Sequence, residues 1–338
     1  MDNEKILISG SAGYLGTILV PNLIESGYQV TCLDRFSRGI DNFTKIVGEN
    51  VEIIKKDIRK VESSTLKNID CVIDLSARRK SNNSKINDTY DINLHGRTNF
   101  AKLCKEANIK KYIRISGTSA YGQQEEIVDE NASIKPLTAY SKANRKAEES
   151  ALPLNDDNFT VTALRFSSVY GISPRMRFDT AVNVMVLDLF NKGKITVRGQ
   201  GNKRPFVHIL DVARAYEVVI NASKEKIGGQ IFNVGSDEQN YEMGQLAKEI
   251  TDGVGEECQL ELEDSPDHRS YTASFSKIRE TLNFVPNYTV KQGAKEIYEA
   301  LKSGALKETK KTKTVEWYKT LLSDKSLAQD IILNEIII

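Results

Sequence analysis

The sequence contains few of the residues from which metal sites and disulfide frameworks are built. It has three histidines and four cysteines in 338 residues. They show no CxxC pair and no other metal-ligand spacing, and they lie far apart, at His95, His208, His268, Cys32, Cys71, Cys104 and Cys258. We therefore expect no metal centre. Because isolated thiols stay reduced in the cytosol, we expect a cytoplasmic protein with free cysteines.

The chain also lacks an excess of charge and any long apolar run. Lysine and arginine total 47 against 46 aspartates and glutamates, a net charge of +1, so no overall field attracts nucleic acid or an acidic membrane. No signal peptide fits the first residues, and no apolar stretch approaches the roughly 18 residues that span a bilayer. We expect the short apolar tail 331–338 to pack against a second copy of the chain in a homodimer.

The most specific pattern lies in residues 6–34. An apolar run leads into Gly-Ser-Ala-Gly-Tyr-Leu-Gly at 10–16, an apolar helix pattern follows, and a second apolar run ends at Asp34. A strand, a glycine turn, a helix and a strand ending in an acid predict a dinucleotide site, whose glycines allow a tight turn and close approach to a pyrophosphate. The helix start offers N–H groups to the phosphates. Asp34 would accept the hydroxyls of the adenosine ribose, which favours NAD over NADP.

Apolar runs alternate with helical patterns further along the chain. Strands are predicted at Val51–Ile54, Cys71–Leu75, Tyr112–Ser116 and Val161–Phe166, and helices near Asp91–Ala107, Thr138–Ala151 and Thr314–Leu322. This alternation predicts an α/β fold, a Rossmann-like doubly wound parallel sheet with a smaller C-terminal α/β substrate lobe. We assign residues 1–171, with 203–222 returning, to the dinucleotide-binding domain, 172–202 and 223–305 to the second lobe, and 306–338 to a C-terminal extension.

The glycine spacing, Gly-x-x-Gly-x-x-Gly, resembles that of the extended short-chain dehydrogenase/reductase superfamily, in particular its NAD-dependent nucleotide-sugar epimerases and dehydratases. The segments Tyr170–Arg177 and Ile195–Arg214 are also similar to the second half of these epimerases. The resemblance covers about residues 5–305. It implies NAD as the cofactor, a nucleotide-diphosphate sugar as the substrate, and a second lobe that binds this sugar.

The resemblance also implies the cofactor contacts. Asp57 and Ile58, after the third strand, would hold the adenine, although Asp57 could instead cap a helix. Leu75–Ala77 matches a segment that lies under the cofactor, and Asn93 matches a position within a central helix. The complete set of expected cofactor-binding residues is Gly10, Gly13, Tyr14, Leu15, Gly16, Asp34, Arg35, Asp57, Ile58, Leu75, Ser76, Ala77, Asn93, Tyr140 and Asn144.

The catalytic segments of the family are a Ser/Thr and Tyr-x-x-x-Lys, and both are altered in this chain. Tyr140 is in place, and we expect it to take the proton of a sugar hydroxyl while the sugar carbon gives a hydride to NAD. The lysine that helps such a tyrosine to ionise is replaced by Asn144. We expect Asn144 to hold the ribose and Asn144→Lys to raise activity. The hydroxyl position falls on Gly117, so Thr118 or Ser119 would orient the substrate.

Four residues are expected to bind the substrate. Arg204 matches an arginine that clamps the diphosphate, since a guanidinium fork fits phosphate oxygens. Ser168 and Asn183 match positions that contact the nucleotide, and Arg269 lies near the position of a further arginine.

The residues leave three functions open. The first is an NAD-dependent nucleotide-sugar epimerase or oxidoreductase, which oxidises one sugar carbon and returns the hydride to the other face. The second is a keto-sugar reductase; a dehydratase is disfavoured because no acid directly follows Thr118. The third is a regulatory protein that keeps both ligand sites without turnover, and the two catalytic changes motivate it. The choice of sugar is expected to depend on residues 78–90 and 172–202.

Overall fold

The structure is a computed structural model. It describes residues 4–48, 51–78, 89–265 and 267–324, together with residues 326, 327, 329 and 333. The apolar tail, apart from Leu333, and most of the segment 78–90 lie outside the described residues. The dimer contact expected of the tail and the role of 78–90 in choosing the sugar therefore stay predictions.

Short apolar runs form the strands, which are β1 (Lys5–Ser9), β2 (Gln29–Asp34), β3 (Glu52–Lys55), β4 (Cys71–Asp74), β5 (Lys111–Gly117), β6 (Gln123–Val128), β7 (Thr160–Phe166), β8 (Ser168–Tyr170), β9 (Lys194–Arg198), β10 (Lys203–His208), β11 (Ile231–Val234), β12 (Asn240–Glu242), β13 (Gln259–Glu263) and β14 (Ser270–Ala273). The helices are α1 (Gly16–Glu25), α2 (Asp41–Val47), α3 (Arg97–Glu106), α4 (Ala139–Ala151), α5 (Ala181–Lys192), α6 (Ile209–Asn221), α7 (Lys224–Ile227), α8 (Met243–Val254), α9 (Ser276–Leu282), α10 (Val290–Lys302) and α11 (Thr314–Ser323). A π-helical segment, Asp91–Gly96, runs directly into α3.

The main sheet has the strand order β11-β7-β5-β4-β1-β2-β3, and all neighbouring strands are parallel. Every residue of β4 and β7 is buried, as expected where helices cover both faces of a sheet. From β1 the chain adds β2 and β3 on one side of the sheet, and from β4 onward it adds strands on the other side of β1. In doubly wound sheets, ligands bind beyond the carboxyl ends of the strands at this point. The Rossmann-like α/β fold predicted from the sequence is confirmed.

Alternate residues of β1 pack on opposite faces of the sheet. Ile6 and Ile8 join the core that includes the apolar sides of α1 and α6. Leu7 joins a separate core with Phe100 of α3 and Tyr112 of β5. The period-two alternation of a strand thus places one helix layer on each face.

A further apolar core, which also includes Tyr14 of the glycine turn, lies where α5, α8 and α10 meet. Two details differ from the boundaries inferred from the sequence. Strand β11 pairs with β7 at the edge of the main sheet, although residues 223–305 are predicted to lie in the lobe. Strand β10 lies in a separate sheet of order β12-β10-β8, so segment 203–222 returns to the main domain through α6. A strand pattern alone does not contain its pairing partner, which explains both differences.

The chain continues beyond α10 into a charged segment and α11, whose Trp317 and Leu321 form a small apolar cluster. This helix agrees with the one predicted at Thr314–Leu322. In the part of the chain that the structure describes, no helix has both the length and the apolar character needed to cross a membrane.

Candidate active site

A cleft of about 1110 Å³ opens along the carboxyl ends of the main strands. This volume lies just above the range of about 300–1,000 Å³ that is usual for small-molecule sites. Its wall follows the order of the strands, with Asp34 after β2, Gly10 after β1, Ser76 after β4, Ser119 after β5 and Ser168 after β7. The sheet order therefore sets the order of functional groups along the cleft.

The glycine turn between β1 and α1 lets the backbone approach its neighbours at two points. Gly10 has a φ of +73°, and a Cβ there would lie 2.8 Å from the carbonyl carbon of Leu75. A Cβ at Gly16 would lie 2.2 Å from the carbonyl oxygen of Ser11. Helix α1 has no side-chain cap, and the N–H groups of Thr17 and Ile18 donate to the carbonyls of Gly13 and Leu15. A pyrophosphate would therefore bind at the N–H groups of the turn just before them. The turn fits the cradle predicted from the sequence.

Asp34 lies at the end of β2, on the wall of the cleft. Its Oδ2 accepts the N–H of Ala12 at 3.1 Å, and its Oδ1 accepts the N–H of Phe36 at 2.8 Å. Burial raises the pKa of Asp34, and these N–H donors oppose the rise. The two bonds fix the carboxylate beside the glycine turn, where it can still accept the hydroxyls of a ribose.

We expect the protein to bind NAD at least about tenfold more tightly than NADP, a difference of about 1.4 kcal/mol. The carboxylate of Asp34 would repel a 2′-phosphate, while Arg35 pairs with Asp57 and Arg38 bonds the carbonyl oxygen of Lys311. The single tryptophan of the sequence bonds the carbonyl of Ser37, so its fluorescence can follow both titrations. Asp34→Asn should reduce the difference between the affinities for NAD and NADP. Tighter binding of NADP than of NAD by the unaltered protein would contradict the prediction.

Asp57 combines the two roles that the sequence leaves open. It caps the short helix Ile58–Lys60 by accepting the N–H of Arg59 at 2.9 Å, and it also lines the cleft. The guanidinium of Arg35 lies 2.6 Å from its Oδ2. Burial raises the pKa of Asp57, but hydrogen bonds from Arg59 and the charges of both arginines bring it below its ordinary value. The carboxylate therefore remains charged and fixed in place.

The segment Leu75–Ala77 lines the cleft as predicted, but Asn93 does not. Asn93 is fully buried. Its Oδ1 accepts the N–H of Arg78 at 2.7 Å, and its Nδ2 donates to the carbonyl of Arg78 at 2.8 Å. Asn93 thus fixes the backbone that follows β4. It supports the cofactor segment from behind instead of contacting a cofactor.

Tyr140 occupies the first turn of α4 and lines the cleft. Among the described residues, its hydroxyl has no hydrogen-bond partner. The hydroxyl of Thr118 lies 3.3 Å from the carbonyl oxygen of Phe166 and 3.0 Å from the phenol of Tyr271. Ser119 lines the same wall, and its hydroxyl has no partner in the described part of the chain. Of the two hydroxyls predicted to orient a substrate, that of Ser119 is therefore the available one.

Asn144 does not line the cleft, which differs from the expectation that it holds a ribose. Its Oδ1 accepts Nη1 of Arg97 at 2.9 Å, and its Nδ2 donates to the carbonyl of Tyr140 at 3.1 Å. Both ends of the amide are therefore used inside the protein. Arg97 is missing from the sequence-based site. Asp74 lies in a predicted apolar strand, and Arg97 lies in the predicted helix Asp91–Ala107. Because buried charges are normally paired, these two opposite charges are the feature of the sequence that could have revealed Arg97.

Arg204 and Arg269 lie together at the other end of the cleft. Arg269 forms a bidentate pair with Asp267, and Nη2 of Arg204 lies 3.3 Å from the same carboxylate. Burial would raise the pKa of Asp267, but the two arginines lower it to about 2. The guanidinium of Arg204 also lies over the ring of Tyr271, 5.6 Å from its centroid. Two cations that share one carboxylate leave an excess positive charge for an anionic ligand.

Ser168 lines the cleft as predicted, whereas Asn183 is fully buried and does not. The Oδ1 of Asn183 accepts the N–H of Gly171 at 3.1 Å, and its Nδ2 donates to the hydroxyl of Tyr14 at 3.1 Å. The same hydroxyl donates to the carbonyl of Gly171 at 2.7 Å. Asn183 therefore ties the second lobe to the glycine turn instead of contacting a nucleotide.

A segment beyond α10 completes the wall at the Asp34 end. This C-terminal wall segment, residues 305–318, contributes side chains to the cleft and bonds two other parts of the protein. The indole of Trp317 donates to the carbonyl of Ser37 at 3.1 Å, and the carbonyl of Thr312 accepts the N–H of Phe178 at 2.8 Å. The sequence predicts a helix here, but nothing in its pattern indicates this contact.

Of the expected cofactor-binding residues, those that line the cleft are Gly10, Gly13, Tyr14, Leu15, Gly16, Asp34, Arg35, Asp57, Ile58, Leu75, Ser76, Ala77 and Tyr140. Asn93 and Asn144 are the two that lie behind it.

Comparison with known proteins agrees with this geometry. Residues 6–235 match the model of the NAD dependent epimerase/dehydratase family. The chain is 29% identical over 310 residues to a protein of Methanocaldococcus jannaschii provisionally named UDP-glucose 4-epimerase, covering 88% of this chain and 98% of that protein. It is 25% identical over 342 residues to the dTDP-D-glucose 4,6-dehydratase of Homo sapiens, covering 94% of this chain and 90% of that protein.

A solved structure has a similar fold. The UDP-glucuronic acid 4-epimerase from Bacillus cereus, crystallised with UDP-glucuronic acid and NAD, superimposes with a TM-score of 0.78 over 88% of this chain and 99% of that chain. The sequence identity is 23%, so this similarity is evidence for the fold alone.

Proposed function

Because the chain belongs to the NAD dependent epimerase/dehydratase family, within the extended short-chain dehydrogenases/reductases, its cofactor is NAD, and we propose that it epimerises a nucleotide-diphosphate sugar. One observation carries this proposal, the order of groups along a single cleft. The glycine turn and Asp34 lie at one end, Ser119 and Tyr140 follow, and Arg204 lies at the other end. A cofactor, a proton carrier and an anion site are thus aligned.

The described residues fit the cofactor. The glycine turn leaves no room for a Cβ at Gly10 or Gly16, and the first turn of α1 faces the space that a pyrophosphate would occupy. Asp34 would accept the ribose hydroxyls. When bound, NAD supplies a hydride acceptor that can return the hydride to the same sugar.

The chain's own residues would supply proton transfer and orientation. Tyr140 would accept the proton of a sugar hydroxyl during oxidation and return it after reduction. Ser119 would hold the same hydroxyl by a hydrogen bond. Because epimerisation requires the sugar to present its other face to a fixed cofactor, the ligand must be held by a part that does not react. Arg204 and Arg269 would hold the diphosphate and leave the sugar free to turn.

The positions of the carboxylates on the cleft wall favour an epimerisation over a dehydration. Expulsion of water needs a further acid and base beside Tyr140. Among the described residues of the cleft wall, the carboxylates are Asp34 and Asp57, both at the cofactor end. This arrangement favours epimerisation, and it leaves a keto-sugar reductase as the alternative enzyme, since delivery of one hydride demands less of the base.

A catalytically impaired binding protein is the alternative outside the enzymes. The amide of Asn144, at the position of the family's lysine, is bonded inside the protein and brings no charge of its own to Tyr140. Such a protein would bind NAD and a nucleotide sugar through the same cleft without converting the sugar.

The proposal is tested by adding nucleotide sugars to the NAD-loaded protein. UDP-glucose, UDP-glucuronic acid and dTDP-glucose are the first choices, because related proteins are named for them. Thermal shift would identify the sugars that bind, and NMR would follow the stereochemistry of each. We expect one sugar to equilibrate with its epimer without net formation of NADH. In a second assay, stoichiometric oxidation of NADH on addition of a nucleotide keto sugar to the NADH-loaded protein would favour the reductase. Binding without conversion in either assay would favour the regulatory protein.

The homodimer and the cytoplasmic location expected from the sequence are part of the same proposal. Sedimentation of the full chain tests the first, and fractionation of cells tests the second.

Arg204→Ala is expected to weaken binding of the nucleotide sugar by about 1.5–3 kcal/mol, because a charged hydrogen-bond donor is lost, and to leave NAD binding nearly unchanged. Calorimetric titration of both ligands measures the two effects. Arg198→Ala is the matched control, since Arg198 is close to Arg204 in the sequence but is exposed and pairs with Glu263. Equal weakening of both ligands by Arg204→Ala would show that Arg204 is structural.

A further inference from the structure

A cluster of charged side chains lies buried behind Tyr140. Its members come from five elements around the catalytic end of the sheet, and each is at most 1% exposed: Asp74, Arg97, Arg114, Glu148 and Arg165. Three arginines face two carboxylates, so the cluster carries one positive charge in excess. Charges in a buried environment act more strongly and over longer distances than charges in water.

Arg97 is the member that bonds the side chain of Asn144 in α4. Its Nε donates to Oδ2 of Asp74 at 2.7 Å, and its Nη2 donates to the carbonyl of Ile115 at 2.8 Å. Its Nη1 donates to Oδ1 of Asn144 at 2.9 Å, and Asn144 in turn donates to the carbonyl of Tyr140 at 3.1 Å. The guanidinium is therefore fixed on three sides and connected through one amide to the first turn of α4.

Arg114 carries the excess charge of the cluster. Its Nη2 lies 3.4 Å from the carbonyl oxygen of Asn144, and no carboxylate among the described residues lies within ion-pair distance of it. Burial and the neighbouring charge of Arg97 lower the pKa of Arg114 to about 10. At neutral pH it is still a cation, so the pair Arg97–Asp74 lies in a net positive environment.

The cationic side chains of α4 do not contact the side chain of Asn144. Lys142 is exposed, and Lys146 lies over the ring of Tyr90, with its Nζ 5.8 Å from the centroid. Arg145 pairs with Glu148 and Glu149. Within the described residues, the buried cation bonded to the side chain at position 144 is therefore Arg97.

We propose that Arg97, held by Asn144, takes the place of the missing lysine as the fixed positive charge that stabilises the ionised form of Tyr140. Arg97 is a positioning residue in this account, because it touches neither substrate nor cofactor. The inference rests on the proposed function, since it concerns the same proton transfer. It also explains why an uncharged residue at 144 is compatible with catalysis: Oδ1 of Asn144 accepts a hydrogen bond from the guanidinium of Arg97, so a cation is held at this side chain.

Several other ionisable groups face Arg97 and contribute to any pH dependence. Those that interact with Arg97 itself are Asp74, Tyr112, Arg114 and Tyr216. Cys104 interacts with Asp74, and Glu148 interacts with Arg114 and Arg165. A substitution at position 97 must therefore be compared with a substitution elsewhere in the same cluster.

The relocation of the charge supplies the test. Arg97→Gln removes it, and Arg97→Gln with Asn144→Lys moves it to the position of the family's lysine. Asn144→Lys alone would place an ammonium against the guanidinium of Arg97, so we now expect it to lower activity, contrary to the expectation from the sequence. Arg165→Gln is the matched control, because Arg165 is equally buried but bonds Glu148 and Tyr121.

Two readouts follow the ionisation of Tyr140 in the NAD-loaded protein. The first is the ultraviolet absorbance of tyrosinate across a pH titration, with the Tyr140→Phe protein subtracted from each variant that retains Tyr140. The second is the acid limb of the turnover profile. Loss of a nearby positive charge makes tyrosinate harder to form. We therefore expect Arg97→Gln to move both transitions upward by about one pH unit, with about tenfold lower turnover below the transition.

The charge-relocated double variant should titrate close to the unaltered protein, and Arg165→Gln should do the same. The proposal is overturned if Arg97→Gln leaves the transition in place, or if Arg165→Gln moves it as far. If Arg97→Gln does not fold, Arg97→Lys and the double variant decide, because each keeps a cation at position 97 or 144 and a higher transition in either would overturn the proposal. The absorbance titration needs no substrate, so a protein without turnover would count against the proposed function alone.

Discussion

Tyr140→Phe is expected to lower turnover of the nucleotide sugar by about 10²–10⁴-fold, the usual contribution of a positioned acid/base, while NAD binding changes little. The structure gives the reason for this separation. The hydroxyl of Tyr140 bonds no other group in the described part of the protein, so its removal costs no internal hydrogen bond. The ring stays on the wall of the cleft, and only the proton carrier is lost.

The measurement is turnover by NMR together with a titration of NAD on the same preparation. Tyr298→Phe is a suitable control, because Tyr298 packs on Phe190 at the surface of the second lobe and takes no part in the cleft. Turnover of Tyr140→Phe at the rate of the unaltered protein would show that another group carries the proton.

Asp74→Asn is expected to lower the free energy of unfolding by about 3–5 kcal/mol, the usual cost of removing one partner from a buried ion pair. Asp74 is fully buried and accepts hydrogen bonds from Arg97, Tyr112 and Ser9. An asparagine keeps the size of the side chain but removes its charge. The cations of Arg97 and Arg114 would then be buried without the carboxylate that balances part of their charge.

The pH dependence of this effect has a definite sign. Burial raises the pKa of Asp74, but Arg97, Arg114 and the hydroxyl of Tyr112 bring it below its ordinary value. A lowered pKa means that ionised Asp74 stabilises the fold above the unfolded pKa of about 3.9, and that this stability is lost as the pH falls through the folded value. The difference between Asp74→Asn and the unaltered protein should therefore shrink below about pH 3.9.

Urea unfolding at several pH values measures this difference. Glu52→Gln is the control, because Glu52 forms an exposed pair with Lys5 and such pairs contribute about 0–1 kcal/mol. A loss for Asp74→Asn no larger than that of the control would contradict the prediction.

The fold was largely accessible from the sequence because its determinants are local. Consecutive apolar residues predict β4 and β7 as doubly covered strands, and the spacing of glycines and Asp34 belongs to one continuous unit of the chain. The partner of β11 was not accessible, since its four residues would suit the edge of either sheet. Pairing depends on residues far away in the sequence.

The candidate site divides in the same way. Tyr140 and Arg204 were found because a motif fixes where the backbone lies, and in these two cases the side chain faces the cleft. Asn93, Asn144 and Asn183 occupy the positions that the motif indicates but turn their amides to groups inside the protein. An amide has both a donor and an acceptor, and the neighbouring partners decide which way it is used. The sequence of the motif does not contain those partners.

The C-terminal wall segment also determines when the cleft can be completed during synthesis. The glycine turn and Asp34 are made early, and chains fold from the N-terminus onward as they emerge from the ribosome. Thr314 and Tyr318, which line the same end of the cleft, are made only after every strand of the main sheet and the whole second lobe. A nascent chain that has not yet reached residue 305 therefore exposes a dinucleotide turn without its enclosing wall, and we expect it to hold NAD less firmly than a chain made through Tyr318.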